Sequence, residues 1–509
     1  MKPLSDRVAW SAMHDSHERY DPPRCHPETR TAVLDRIDKW ATGRSEHPIL
    51  WLNGPAGAGK SAIAQTLAER WSKTGILGAS FFLRRTAAGR NNRERLVPTL
   101  TYQFTAHNPR VRAHVKNQLA SDPHIWEKSL STQLDRLIVH ALVVPKLDGS
   151  RNPGSAVQVI IIDGLDECST PYGSQSPEEQ QKQILEAIAL VSQGNPPLRF
   201  LIASRPESQI RYSFSHGSLF DLAEQITLSN GPEARADVAL FLQCKFADIR
   251  RIHPYLPHTW PSPDAIRKLV GNSSGHFVYP ATIVRYLSSP RINPEEALRS
   301  VLALSASRFE RMESEPLLSS GGSEQARPLV ELDALYTHIL QSSVHNIQSN
   351  TFGTLQFLIC YSGFSQSRSR MAKAMSTTSS QLYTDLIDLH SLLDVPNNPD
   401  SVITFHHASF NEFLSDPRRS GSFWAGGPSL LRVQAAVLNA FRKFYARNFE
   451  LPLPGDAPIT YCLWSGLGTF PVQIFREKAV HKAVLYTAAF LLQFFSVLVS
   501  INPLQMSQH

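Results

Sequence analysis

Gly54-Pro55-Ala56-Gly57-Ala58-Gly59-Lys60-Ser61 follows an apolar run, Pro48-Ile49-Leu50-Trp51-Leu52, and precedes a helix-like stretch from Ala62 to Trp71. Strand, glycine loop and helix in that order give the pattern G-x-x-x-x-G-K-[ST] its physical meaning. Glycine lets the backbone close around a polyphosphate, and successive N–H groups point inward at the start of the helix. In that setting Lys60 reaches the β- and γ-phosphates and the Ser61 hydroxyl is a ligand for Mg²⁺. The stretch implies binding of a nucleoside diphosphate or triphosphate.

About a hundred residues on, Val157-Gln158-Val159-Ile160-Ile161-Ile162-Asp163 reads as a strand buried on both faces of a parallel sheet. It ends in Asp163-Gly164-Leu165-Asp166-Glu167. A carboxylate at the C-terminal end of such a strand sits beside the phosphate loop, so Asp163 is expected to hold the Mg²⁺ ion. Asp166 or Glu167 is expected to orient or deprotonate the attacking water. A third strand, Arg199 to Ala203, runs into Ser204-Arg205-Pro206 and brings Arg205 to the same edge, where a guanidinium can sense a γ-phosphate.

A length of 509 residues suggests about three domains. Apolar residues at 42% and charged residues at 19% are ordinary proportions, so cores can be filled. A net charge of +7 is small for a chain of 56.8 kDa, and no nucleic-acid partner is expected. The densest basic stretch, Arg84, Arg85, Arg90, Arg93 and Arg95, has no interleaved aromatic residues and reads as a solvated loop. Five scattered cysteines without a C-x-x-C pair give neither a zinc site nor a disulfide framework, and fit a reducing, cytoplasmic setting. The polar start, Met1 to Trp10, lacks the pattern of a secretory signal.

Along the chain, residues 1–24 are expected to be a disordered lead-in. A doubly wound α/β nucleotide-binding domain follows over 25–230, where strands and helices alternate. Helical periodicity marks 231–313, and a Ser/Gly/Pro-rich linker marks 314–328. Over 329–425, helices precede a hairpin, Leu393 to Phe405, and a helix, Ser409 to Leu414, the order of a winged-helix module. A C-terminal helical segment is expected over 426–509.

The phosphate loop, Asp-Gly-Leu-Asp-Glu and Ser-Arg-Pro together resemble the NACHT class of STAND signalling ATPases, in particular those abundant in mushroom-forming fungi. The same group's segments resemble Cys25 to Arg30, Leu96 to Leu100, Lys128 to Leu130, Leu198 to Glu207 and Ser273 to Phe277. His407-Ala408-Ser409-Phe410-Asn411-Glu412-Phe413-Leu414 resembles the winged-helix histidine motif of the class. The likeness spans about residues 25–425.

What this resemblance implies is a regulated P-loop switch in innate-immunity or self/non-self signalling. ADP closes it, ATP opens it and permits homo-oligomerisation, and an unidentified signalling protein receives the output. Gly54, Pro55, Ala56, Gly57, Ala58, Gly59, Lys60 and Ser61 would cradle phosphate, with Ser61 and Asp163 on the metal. Arg205 would be the sensor arginine and His407 the β-phosphate contact, with adjacent His406 as the alternative. Lys60, Asp166, Glu167 and Arg205 would support slow hydrolysis of ATP. Thr29 and Arg30 would line the adenine side.

Three departures stand beside the likeness. Gly164 separates Asp163 from the later acids, and Gly275 to Pro280 only approximates the class's Gly-x-Pro segment. Neither an effector nor a repeat sensor flanks the core, which suggests a truncated paralogue or an incomplete gene model. Ala483 to Ile501 carries no charge and follows Arg476, Lys478 and Lys482, so it is either a membrane tail anchor or a buried helix, or else sequence past an aberrant gene end. A non-hydrolysing scaffold and a steadily cycling P-loop kinase or motor are the competing functional classes.

Overall fold

Five strands, β1 Ile49–Asn53, β2 Leu77–Phe82, β3 Gln158–Asp163, β4 Leu198–Ser204 and β5 Ala223–Thr227, form one parallel sheet in the order β2-β3-β4-β1-β5. The computed structural model describes residues 2–425 except 20–21, 44, 86, 88, 144–156, 170–175, 195, 315–326, 344–349, 361–366 and 376. Most of the expected linker at 314–328, and all of 426–509 with its apolar segment 483–501, lie outside the described residues. Among the described residues no helix is long and apolar enough to cross a membrane.

Both faces of the sheet are covered, which is why its strands read as continuous apolar runs. Trp51, Phe81, Ile160, Ile162, Phe200 and Ile202 point into one core. Leu50, Leu52, Val159, Ile161 and Leu201 point into the other, with the Thr31–Thr42 and Lys60–Thr74 helices. The Lys60–Thr74 helix begins after Gly59 at φ +96° and ends at Gly75, whose left-handed backbone lets its N–H reach Trp71 O. Ser176 caps the Pro177–Gln193 helix by accepting from Glu179 N, with Pro177 in the first turn.

The lead-in expected to be disordered is built into the fold over residues 2–19. Leu4, Ala9 and Ala12 are buried in the first core, so this segment has apolar surface to sequester. Its backbone is tied by Ala9 N to Thr99 Oγ1 (2.9 Å), His14 N to Ser80 Oγ (3.0 Å) and Gln65 Nε2 to His14 O (3.0 Å). Because β2 is an edge strand, this strap protects an otherwise open sheet margin.

Among the described residues two units separate by compactness, one within 1–288 and 293–331 and the other within 289–292 and 332–425. The segments expected as distinct nucleotide-binding and helical domains therefore fall largely within the first unit. Its helices Pro232–Ile252, Pro263–Ser273 and Val278–Leu287 follow β5. In the second unit, β6 Leu393–Asp394 pairs antiparallel with β7 Thr404–Phe405, and the Ala408–Ser415 helix follows. Tyr336, Phe410 and Phe413 pack there with ring centroids 5.0 to 6.3 Å apart.

Candidate functional site

Parallel register fixes which residues meet at the carboxyl edge. Asn53 of β1 pairs with Ser204 of β4, Asp163 of β3 pairs with Ala203, and Phe82 of β2 pairs with Asp163. The Gly54–Ser61 loop leaves β1 at that same edge, the place where ligands bind in open α/β sheets. Lys60 and Asp163 are thus on one side of the sheet.

Gly57 is required by its backbone and by its neighbour. Its φ is +75°, and a Cβ would stand 2.4 Å from Val278 Cγ1. Phe277 N donates to Gly57 O at 2.9 Å, and Arg30 Nη2 donates to Ala58 O at 3.0 Å. Arg30 also reaches Asp237 through its backbone N–H at 3.1 Å and lies 5.2 Å from the Phe277 ring centroid. Thr29 is buried beside it and donates to His26 O at 2.6 Å. The loop is therefore clamped from both the Arg30 turn and the Val278–Leu287 helix.

Lys60 Nζ folds back on its own loop, donating to Gly54 O at 2.7 Å and Pro55 O at 2.9 Å. Burial lowers its pKa, opposed by Asp166, Asp163 and Glu167. Asp163 is 4% exposed. Burial pushes its carboxyl up to about 6, against a hydrogen bond with the Ser61 side chain and the nearby Arg19 and Lys60 charges. Its Oδ1 is buried without a hydrogen-bond partner. A hydroxyl beside a buried carboxylate with an unsatisfied oxygen fits a hard, oxygen-seeking cation, so Ser61 and Asp163 suit Mg²⁺.

Asp166 and Glu167, alternatives by sequence, are distinguished by their partners. Asp166 receives Arg205 N at 2.9 Å on Oδ1 and the Arg205 guanidinium at 3.2 Å on Oδ2. Both its oxygens are engaged in holding the loop after β4. Glu167 accepts from Arg85 N at 3.2 Å, and burial with the Asp166 charge raises its pKa. A carboxyl shifted toward neutrality is the better proton acceptor near pH 7.

His276 was not singled out as a site residue by the sequence. It is 8% exposed, its Nε2 has no hydrogen-bond partner, and burial with the Lys60 and Arg30 charges lowers its pKa to about 4. A neutral imidazole with an unused nitrogen thus stands next to the phosphate loop. The family-like segments Ser273 to Phe277 and Gly275 to Pro280 contain it without marking it.

His407 belongs to the second unit, where it caps the Ala408–Ser415 helix. Ser409 N donates to its Nδ1 at 3.1 Å, and Ser409 Oγ lies 2.6 Å from the same nitrogen. The Tyr336 hydroxyl is 2.8 Å from Ser409 Oγ. His406 places Nε2 2.9 Å from His390 O.

One family model, that of the N-terminal region of nephrocystin 3, matches residues 29–205, the span from the Arg30 turn to Arg205. No curated protein matches the chain. Among solved structures, a Walker-type ATPase of Pyrococcus abyssi is 15% identical, covering 78% of this chain and 99% of its own, with a TM-score of 0.37. The ORC2 protein of Aeropyrum pernix, in its ADPNP–ADP complexes, is 14% identical over 84% of this chain and 97% of its own, with a TM-score of 0.34. The parallel sheet, with its glycine loop between β1 and the following helix, has the strand–loop–helix arrangement of a P-loop fold.

Proposed function

We propose that the chain is an ATP/ADP-dependent signalling switch of the STAND/NACHT class that hydrolyses nucleotide slowly. The observation that carries this reading is the meeting of Lys60, Ser61 and Asp163 at one sheet edge, with a buried Asp163 oxygen lacking a partner. Lys60 would exchange its loop carbonyls for phosphate oxygens, which suit its charge better. Mg²⁺, held by Ser61 and Asp163, would supply charge neutralisation of the polyphosphate. Glu167 takes the proton of the attacking water, and Asp166 positions Arg205 toward the terminal phosphate.

From the resemblance alone, His407 would be the nucleotide-sensing histidine; its Nδ1 accepts from Ser409 N, which leaves the ring proton on Nε2. Exchange of ADP for ATP shifts the population to an open form that associates with further copies and with a signalling partner.

Light scattering of the purified chain with ADP and with a non-hydrolysable ATP analogue tests the switch. The reading expects a monomer with ADP and a larger species with the analogue. Identical masses in both nucleotides, with binding demonstrated, would leave a nucleotide-binding scaffold as the better description.

A further inference from the structure

The carboxyl ends of β2 and β3 carry a second group of charges that the phosphate loop does not use. Arg19 lies at the end of the described strap, Arg84 follows β2, and Arg90 lies in the loop beyond. Arg84 N donates to Arg90 O at 3.1 Å, which folds that loop back on itself. The loop reads from sequence as solvated, yet Arg90 is only 6% exposed.

Position follows from register. Phe82 pairs with Asp163 across β2 and β3, and the Arg19 guanidinium lies 3.7 Å from the Phe82 ring centroid. Asp163 is accordingly the strongest attractive charge acting on Arg19. Both arginines are thinly satisfied. Arg19 Nη1 donates to Met13 O at 3.5 Å. Arg90 Nη1 donates to Ser11 O at 2.8 Å, but its Nε is buried without a partner.

Buried cations are crowded here. Burial and mutual repulsion with Arg84 lower Arg19 to about 10, and burial with Arg84 and Arg19 lowers Arg90 to about 9. From the sheet edge, Asp163 and Glu167 oppose these cations, joined from outside by Glu18 and Glu69. A Mg²⁺ ion on Asp163 would withdraw the carboxylate that acts most strongly on Arg19. Buried cations crowded in this way mark a place for an anion.

Resting on the nucleotide reading above, we propose that Arg19, Arg84 and Arg90 form a phosphoryl-binding pocket beside Asp163. Its occupant is the terminal phosphate of a bound triphosphate, or the inorganic phosphate left after cleavage. Forked guanidinium groups suit that dianion geometrically as well as electrically. The strap is then part of the site, because Arg19 and Arg90 are also bonded to its Met13 and Ser11 carbonyls. A phosphate drawn against them secures the strap over β2.

Calorimetric titration of ADP, of a non-hydrolysable ATP analogue, and of inorganic phosphate onto the ADP complex tests the pocket. Wild type, Arg19→Met, Arg19→Lys and Lys60→Ala are compared, with thermal unfolding as the check on folding. Arg19→Met should bind ADP within about twofold of wild type yet lose about tenfold or more for the analogue, the scale of one charge-assisted hydrogen bond. Arg19→Lys should fall between them. Phosphate binding to the wild-type ADP complex that Arg19→Met abolishes assigns the pocket to released phosphate, and its absence assigns it to the γ-phosphate. A parallel loss for ADP and the analogue, or no loss for either together with phosphate binding that Arg19→Met leaves unchanged, overturns the proposal. Lys60→Ala separates the two levels: if it binds both nucleotides normally, the nucleotide reading itself fails.

Discussion

The sheet edge around Asp163 and the cluster around Ser409 are both buried, and their polar groups are finished in opposite ways. Ser409 is fully buried and Tyr336 nearly so. Donors and acceptors there form a closed series, Tyr336 hydroxyl to Ser409 Oγ to His407 Nδ1, which fixes the start of a helix. At the sheet edge, Asp163 Oδ1 and His276 Nε2 are buried with nothing to bond. Native proteins rarely leave such groups unanswered without a use for them. The first cluster maintains a fold; the second is shaped for a ligand that is not a side chain.

The contrast can be broken most sharply at Glu167. If the edge is catalytic, Glu167→Gln should slow nucleotide hydrolysis by about 10²- to 10⁴-fold while binding stays within about threefold. Single-turnover assays with radiolabelled ATP measure both, and an unchanged hydrolysis rate would remove Glu167 from the mechanism. Next in size is Gly57→Ala, which forces a side chain into positive φ and against Val278. Together these should cost about 2–3 kcal/mol, seen as lower stability and weaker nucleotide retention. Retention equal to wild type would mean that the loop has freedom its contacts do not suggest.

pH separates the two clusters further. Asp163 titrates near 6 instead of its ordinary 3.8, so the metal-free native state holds this proton more tightly than the unfolded chain. That contribution to stability is full below the ordinary value and lost as pH rises through about 6. Magnesium needs the ionised carboxylate, so its affinity should run the other way. It should climb about tenfold per pH unit below the folded value and level off above it. Mg²⁺ titrations at several pH values on wild type and Asp163→Asn provide the check; a flat wild-type profile would deny Asp163 the metal.

The smallest effects compare the histidines directly. His407→Ala removes a helix cap and should destabilise by about 1 kcal/mol. His276→Leu deletes an unbonded buried imidazole and should change stability by less than about 0.5 kcal/mol, in either direction. Urea denaturation read from each unit's signals distinguishes them. A larger loss at His276 than at His407 would reverse the comparison.

Legibility in the sequence followed locality. The phosphate loop, the Asp163 strand and the Arg205 turn are runs of consecutive residues, and each lies at the sheet edge that its flanking periodicity indicates. The helix from Lys60 to Thr74 closes at Gly75 for the same reason. Asp166 and Glu167 could not be told apart by sequence, because what divides them is the reach of Arg205 across two strands. The strap was misread because polar residues dominate it, while its burial is carried by scattered Leu4, Val8, Ala9, Ala12 and Met13. Arg90 was misread because a run of arginines says nothing about which one turns inward. Helices Leu96–His107 and Pro109–Ser121 drew no specific expectation, since the first has a weakly one-sided apolar pattern and is buried nearly all round.

Direct binding of fluorescent ATP and ADP, with and without Mg²⁺, to wild type and to Lys60→Ala tests the central claim most closely. Wild type should bind both nucleotides, with Mg²⁺ tightening ATP. Lys60→Ala should weaken both by about a hundredfold, the worth of a charged phosphate contact in a buried loop. Equal affinities in the two proteins, with both folded, would contradict the account.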